Sequence, residues 1–257
     1  MRGYVDTRWG QLHYDSQGSG DTTILLFHET PLNHWAFERL QPDLAKDYRV
    51  IALDTPGYGE SERPDAIPPI EEYSATFREA IDALGLDEVV LFGVHTGASY
   101  VVELAHTLGD RVQAAVILGL PYYEEAVRQA KVVPSVPELQ DDGSHLVASF
   151  SRPPKEYDNL LLSRMAASVA MLTDTVFWSY DAVYKYRPEK VLPQLTQPVL
   201  FLSNELDPLY ASDNNAIPLV EDAEQKIIAS DSLPLYWTQA PTVAAEIRRF
   251  LGARLGS

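Results

Sequence analysis

Residues 88–99 read EVVLFGVHTGAS, an apolar and β-branched run that ends in Gly93-x-His95-x-Gly97 and passes directly into a helical pattern. A strand that reverses this sharply into a helix forces its apex residue into a strained backbone conformation, and glycine on both sides leaves room for it. The apex residue is His95. An imidazole both accepts and donates a proton near neutral pH. A histidine held at such a turn therefore suits proton transfer at a carbonyl-activated carbon, elimination, decarboxylation, cyclisation or direct activation of water. Nucleophilic catalysis by the ring is a further chemical option. Ser99 falls on the helix after Gly97, where helix geometry directs its side chain into packing rather than towards a substrate.

The turn resembles the nucleophile elbow of the α/β-hydrolase fold, whose usual form is Gly-x-Ser-x-Gly, with His95 in place of the serine. A second stretch, Asp54-Thr55-Pro56-Gly57-Tyr58-Gly59-Glu60-Ser61, is similar to the Asp-x-Pro-Gly-x-Gly-x-Ser loop of the same superfamily. Its residues read as turn-formers and caps, Ser61 included. The resemblance implies an α/β fold, with a mainly parallel sheet of about eight strands, helices on both faces and a helical cap insertion. It also implies roles. His28-Glu29-Thr30-Pro31 aligns with a loop that commonly reads His-Gly-x, which makes the Thr30 N–H an oxyanion-hole donor and the Thr96 N–H the second. Glu29 replaces the glycine, and a carboxylate there would repel the charge such a hole stabilises. Either Glu29 is turned away and paired, or the site performs different chemistry. Asp207, in Asn204-Glu205-Leu206-Asp207-Pro208, aligns with the triad acid. The triad histidine of relatives aligns with Pro234, and no histidine follows His145.

Serine-histidine-acid chemistry needs an attacking hydroxyl, an imidazole and an orienting carboxylate, and of these only Asp207 stands where the resemblance puts it. An imidazole is longer than a hydroxymethyl group, so His95 can fill the space left by the missing histidine and meet Asp207. The expected site is a His95–Asp207 pair doing cofactor-independent acid/base chemistry of lyase, isomerase, cyclase or decarboxylase type. The alternatives are an atypical hydrolase, in which His95 activates water or attacks as a nucleophile, and a catalytically silent fold kept for ligand binding. A metal enzyme combining His28, His95 and Asp207 lacks any close ligand spacing such as His-x-x-x-His, so neither a metal nor a cofactor is expected.

The elements that must position these residues follow in order. Tyr4 to Arg8 and Gln11 to Tyr14 read as a hairpin through Trp9-Gly10. Thr22 to Phe27, Arg49 to Leu53, Val112 to Leu120 and Pro198 to Ser203 read as buried strands, and Glu224 to Ala229 as the last one. Helices are expected over Trp35 to Ala45, Glu71 to Leu84, Ala98 to Leu108 and Pro241 to Leu251. The alternation lapses over 121–197, where prolines interrupt a helical pattern rich in aromatics such as Phe150, Tyr157, Trp178, Tyr180 and Tyr184. These residues are read as the cap, with 1–120 and 198–257 as the core domain. Tyr122, Trp178 and His145 are its expected substrate-facing residues, and Asp142 or Ser144 is the expected cap of the helix at His145.

The 257 residues are 46% hydrophobic and carry a net charge of −17. That length suits one α/β domain with an insertion. The acidic balance, without a basic block, argues against nucleic acid or an anionic membrane as partner. No cysteine is present, which excludes disulfides and thiolate chemistry. No run reaches the ~18 apolar residues of a membrane span, and a cytoplasmic location is expected. The expected partner is a small, apolar or aromatic molecule with a carbonyl or phenol.

Overall fold

The structure, a computed structural model, describes residues 1–134, 138, 140–145, 147, 159–172 and 175–256. Its centre is one eight-stranded sheet in the order β1-β2-β4-β3-β5-β6-β7-β8. The strands are β1 (Arg2–Thr7), β2 (Gly10–Gln17), β3 (Thr23–Phe27), β4 (Arg49–Leu53), β5 (Val89–Val94), β6 (Val112–Leu118), β7 (Val199–Ser203) and β8 (Ala223–Ile227). The β1–β2 and β2–β4 pairings are antiparallel and the other five parallel. Every residue of β3, β5 and β7 is buried, as continuous apolar strands covered on both faces require.

Two apolar layers provide that cover. On one face lie α2 (Ile70–Ala83), through Ile70, Tyr73, Phe77 and Ile81, and α3 (Thr96–Leu108). On the other lies the closing helix Ala240–Leu255, through Val243, Ile247, Phe250 and Leu251. The helix expected over Trp35 to Ala45 is instead a 3-10 turn, His34–Phe37, followed by the short α1 (Gln41–Leu44). Asn33 caps the first by accepting from Trp35 N–H. Pro42, which has no N–H to continue an incoming helix, opens the second.

Among the described residues, 121–197 contributes helices and no strand. These include α4 (Glu125–Ala130), α5 (Asn159–Met171) and α6 (Trp178–Lys185). The expected cap positions Phe150, Tyr157, Pro137, Pro153 and Pro154 lie outside the described residues. No helix of the described residues is long and apolar enough to cross a membrane. Because β3, β4, β5, β6 and β7 run parallel, their carboxyl ends deliver His28, Asp54, His95, Gly119 and Asn204 to one edge of the sheet. That edge is where open α/β sheets bind ligands.

Candidate active site

His95 sits between β5 and α3 with φ 47° and ψ −111°, the one non-glycine residue at positive φ among the described residues. Such a conformation costs of the order of 1–3 kcal/mol and persists only where the surroundings impose it. The flanking glycines show how they do. A Cβ on Gly93 would lie 2.4 Å from the Gly97 carbonyl oxygen, and one on Gly97 would lie 2.1 Å from that of Phe27. The His95 N–H donates to Leu118 O on β6 at 3.0 Å, which ties the apex to the neighbouring strand.

The ring that results is held at both nitrogens. Nε2 lies 3.0 Å from Asp207 Oδ2 and Nδ1 lies 2.9 Å from Glu29 Oε2. Two carboxylates offer only acceptors, so the ring that satisfies both is the imidazolium, donating from each nitrogen. Burial alone would lower the His95 pKa. The charges of Glu29 and Asp207 and their hydrogen bonds outweigh it and raise the pKa well above 6.5. Burial likewise pushes Asp207 up, and the hydrogen bond and charge of His95 outweigh it, leaving that carboxyl below its usual range.

Each carboxylate is fixed in turn. Asp207 Oδ1 accepts from Leu209 N–H at 2.8 Å. Its loop is shaped by Asn204, whose Oδ1 accepts from Leu206 N–H while its Nδ2 donates to Ile228 O. Glu29 Oε1 accepts from the Tyr236 hydroxyl. Tyr236 stands two positions after Pro234, and its phenol holds Glu29 on the side of the ring opposite Asp207. Gly119, at φ +71°, completes the seat: a Cβ there would lie 2.5 Å from His95 Cδ2 and 2.8 Å from Nε2.

The oxyanion arrangement differs from expectation. Thr30 N–H, the anticipated donor, instead donates to Thr96 Oγ1 at 2.8 Å, and Thr30 Oγ1 lies 3.0 Å from the same atom. The Thr96 side chain springs from the elbow and reaches across to the Thr30 loop, so the Thr30 N–H is already engaged by that hydroxyl. Ser99 is fully buried. Ser61 donates to Asp54 O and accepts from His13 N–H, which is a structural role. His28 is also structural, with Nδ1 on Glu29 O and Nε2 accepting from Thr55 N–H.

A cavity of about 270 Å³ opens on His95, Thr30 and Thr96, and Tyr123, Tyr180 and Tyr184 line its other side. Lys131 also lines it, with Nζ 4.3 Å from the centre of the Tyr123 ring. Burial pushes the Tyr123 phenol up to about 12, so it is a neutral donor at neutral pH. Tyr122, Trp178 and His145 are not among the lining residues. Tyr122 packs against the core, Trp178 opens α6, and His145 Nδ1 accepts from Gln140 N–H. The Asp142 carboxylate does cap the turn at His145, accepting from Ser144 N–H at 2.9 Å. A wider groove of about 740 Å³ beside Asn204 and Ile228 contains none of the groups on His95, whereas His95 itself lines the smaller cavity. Sequence reasoning missed Tyr123, Lys131 and Tyr236. Tyr123 is one residue from an expected position, whereas nothing local to Tyr236 signals its pairing with Glu29.

A family model of the alpha/beta hydrolase fold matches residues 22–156, and the chain belongs to that family. Haloalkane dehalogenase 2 of Mycobacterium tuberculosis is 31% identical over 115 residues, 44% of this chain and 40% of that protein. A putative non-heme chloroperoxidase of Synechocystis sp. is 24% identical over 263 residues, covering 93% of this chain and 94% of its own length. Among solved structures, a hydrolase from Pseudomonas aeruginosa superposes with a TM-score of 0.83 at 18% identity, over 98% of both chains. That last likeness bears on fold alone. The chain thus spans about two fifths of the length of the dehalogenase it matches.

Proposed function

We propose that the chain is a cofactor-independent acid/base enzyme acting on a small apolar or aromatic carbonyl compound, with 121–197 as its cap and the reaction of lyase, isomerase, cyclase or decarboxylase type. The observation that supports this is the His95 imidazolium suspended between Glu29 and Asp207 at the floor of an aromatic cavity. A group that keeps its proton above the usual histidine range is a proton reservoir for a developing enolate. A substrate carbonyl oxygen that replaces Glu29 at Nδ1 receives that proton as the substrate's α C–H bond breaks, and the displaced Glu29 carboxylate takes the α-proton, while Asp207 retains Nε2. The Thr96 hydroxyl accepts from Thr30, so its own proton remains to donate to the same oxygen. Nucleophilic attack by His95 fits less well, because neither nitrogen presents a free lone pair. Macromolecular partners play no part in this reading, and action in the cytoplasm does.

The same double occupancy favours one second reading, a ligand-binding homologue whose site is locked. Hydrogen–deuterium exchange separates the two. In D2O, NMR should show the protein exchanging the α-protons of an enolisable aryl ketone or aryl 1,3-dicarbonyl, with the exchange lost in His95→Ala. Saturable binding of these compounds without exchange would overturn the enzyme in favour of the binding protein.

A further inference from the structure

A second cluster of titratable side chains lies at the same sheet edge and takes no part in the cavity. Asp54, fully buried, follows β4 and organises it. Its Oδ2 accepts from His13 Nδ1 at 2.9 Å and from Glu60 N–H at 3.0 Å. Its Oδ1 accepts from the ring Nδ1 of His34 at 3.0 Å and from the His34 backbone N–H at 2.6 Å. With an Asp54 oxygen accepting from Nδ1 of each ring, both imidazoles carry their proton there, and Nε2 is the nitrogen open to a ligand.

Those two Nε2 atoms are buried and make no hydrogen bond, although His13 is 1% and His34 4% exposed. An orphaned buried nitrogen normally costs stability unless something occupies it. The two rings are tilted 54° to each other with centroids 4.7 Å apart. A ring nitrogen of each and a Glu60 carboxylate oxygen all lie within 4.8 Å of one another, the one such grouping among the described residues. Glu60 is exposed and accepts from the Tyr4 hydroxyl at 3.0 Å, so it can turn inward and gives an ion a route from solvent.

We propose that His13, His34 and Glu60 form a binding site for a divalent transition-metal ion, Zn2+ by its donor set, with Asp54 as the group that orients both imidazoles. Two neutral imidazoles and a carboxylate, with Nδ1–H of each ring on a carboxylate, are the donors zinc takes, and a fourth position stays open. Bound there, the ion ties the β2 strand to the loops after β3 and β4 and fills two orphaned nitrogens. The site is built on residues separate from His95 and stands or falls independently of the proposed reaction.

The test uses the full chain stripped by a chelator and titrated with Zn2+ against a chromogenic competitor, with circular dichroism to check folding. The expected result is one tight equivalent, weakened ~10-fold or more in both His34→Gln and Glu60→Gln. It should be retained in Glu29→Gln, which removes a carboxylate from the other histidine cluster. Glu60→Gln alters an exposed side chain and keeps the test sound if His34→Gln unfolds. Absence of saturable Zn2+ binding, binding indifferent to Glu60→Gln, or binding lost in Glu29→Gln would each overturn the site.

Discussion

Asp207 Oδ2 lies 3.0 Å from His95 Nε2, although 112 positions separate the two residues in the chain. The contact puts the carboxylate of the β7 loop on a ring carried by the elbow itself. In triad chemistry that carboxylate orients a histidine from a third segment. With Glu29 on the opposite nitrogen, the ring is both oriented and charged.

The charge state is directly measurable. NMR of the ring nitrogens should show His95 protonated at pH 7.5, and Glu29→Gln and Asp207→Asn should each lower its pKa, since their charges are what overcome burial. The linkage has a definite sign. A folded-state pKa above the unfolded ~6.5 gives stability fully present below that value and lost as pH rises through the folded pKa. A His95 that titrates near its unperturbed value in the native protein would remove the charged triad.

Asp207→Asn should lower turnover of the true substrate ~100-fold or more while leaving KM nearly unchanged. Asn can still hold a hydrogen bond to the ring but cannot offset its charge in the transition state. Steady-state kinetics decide it, and an unimpaired variant would leave His95 acting without Asp207.

Gly119→Ala tests the seat of the ring. The position is at φ +71°, and its Cβ would meet His95 Cδ2 at 2.5 Å. Both strain and contact predict a loss of about 1–3 kcal/mol, read as a fall in Tm, together with a loss of activity as the ring shifts from Asp207. Unchanged stability and activity would show that the ring has slack.

The fold was legible because its signals are local. Gly93-x-His95-x-Gly97 and the Asp54 loop each specify a backbone path within a few residues, and the continuous apolar strands declare burial on both faces. His95 followed from the first of these, and Asp207 from the resemblance of the Asn204–Pro208 loop after the strand Pro198 to Ser203. The rest of the site depends on contacts between distant segments. Glu29 and Tyr236 lie 207 positions apart, and neither residue type predicts the other. The Thr96 hydroxyl on the Thr30 N–H was equally hidden, since the motif fixes the backbone and leaves the rotamer free. Around 121–197, composition indicated aromatics near a cavity, but which of Tyr122 and Tyr123 faces it depends on the course of the chain after β6.

Generic esterase activity should be weak. Catalysis through an acyl-enzyme needs a hydroxyl beside a base, but Ser99 is fully buried and the Thr96 hydroxyl is engaged with Thr30. Burst-phase p-nitrophenyl ester hydrolysis that survives in His95→Ala would contradict this assignment of the site.

Asp213 carries the last prediction. It is 1% exposed, with Oδ1 accepting from Leu120 N–H at 2.7 Å and Oδ2 from Ser203 Oγ at 2.9 Å. Burial is the largest influence and, aided by the charge of Asp207, prevails over those hydrogen bonds to push its carboxyl up to about 7. A folded-state pKa above the unfolded ~3.9 gives stability present in full below pH ~4 and lost as pH rises towards 7. Asp213→Asn keeps an amide oxygen for Leu120 and can donate to Ser203 in place of accepting from it, yet has no charge to bury. The variant should therefore melt several degrees above the parent at pH 8, where each kcal/mol is worth about 2–4 °C, and the gain should shrink at pH 5. Thermal melts of both proteins across that range provide the measurement. A variant equally stabilised or destabilised at both pH values would mean that Asp213 titrates alike in the folded and unfolded chain.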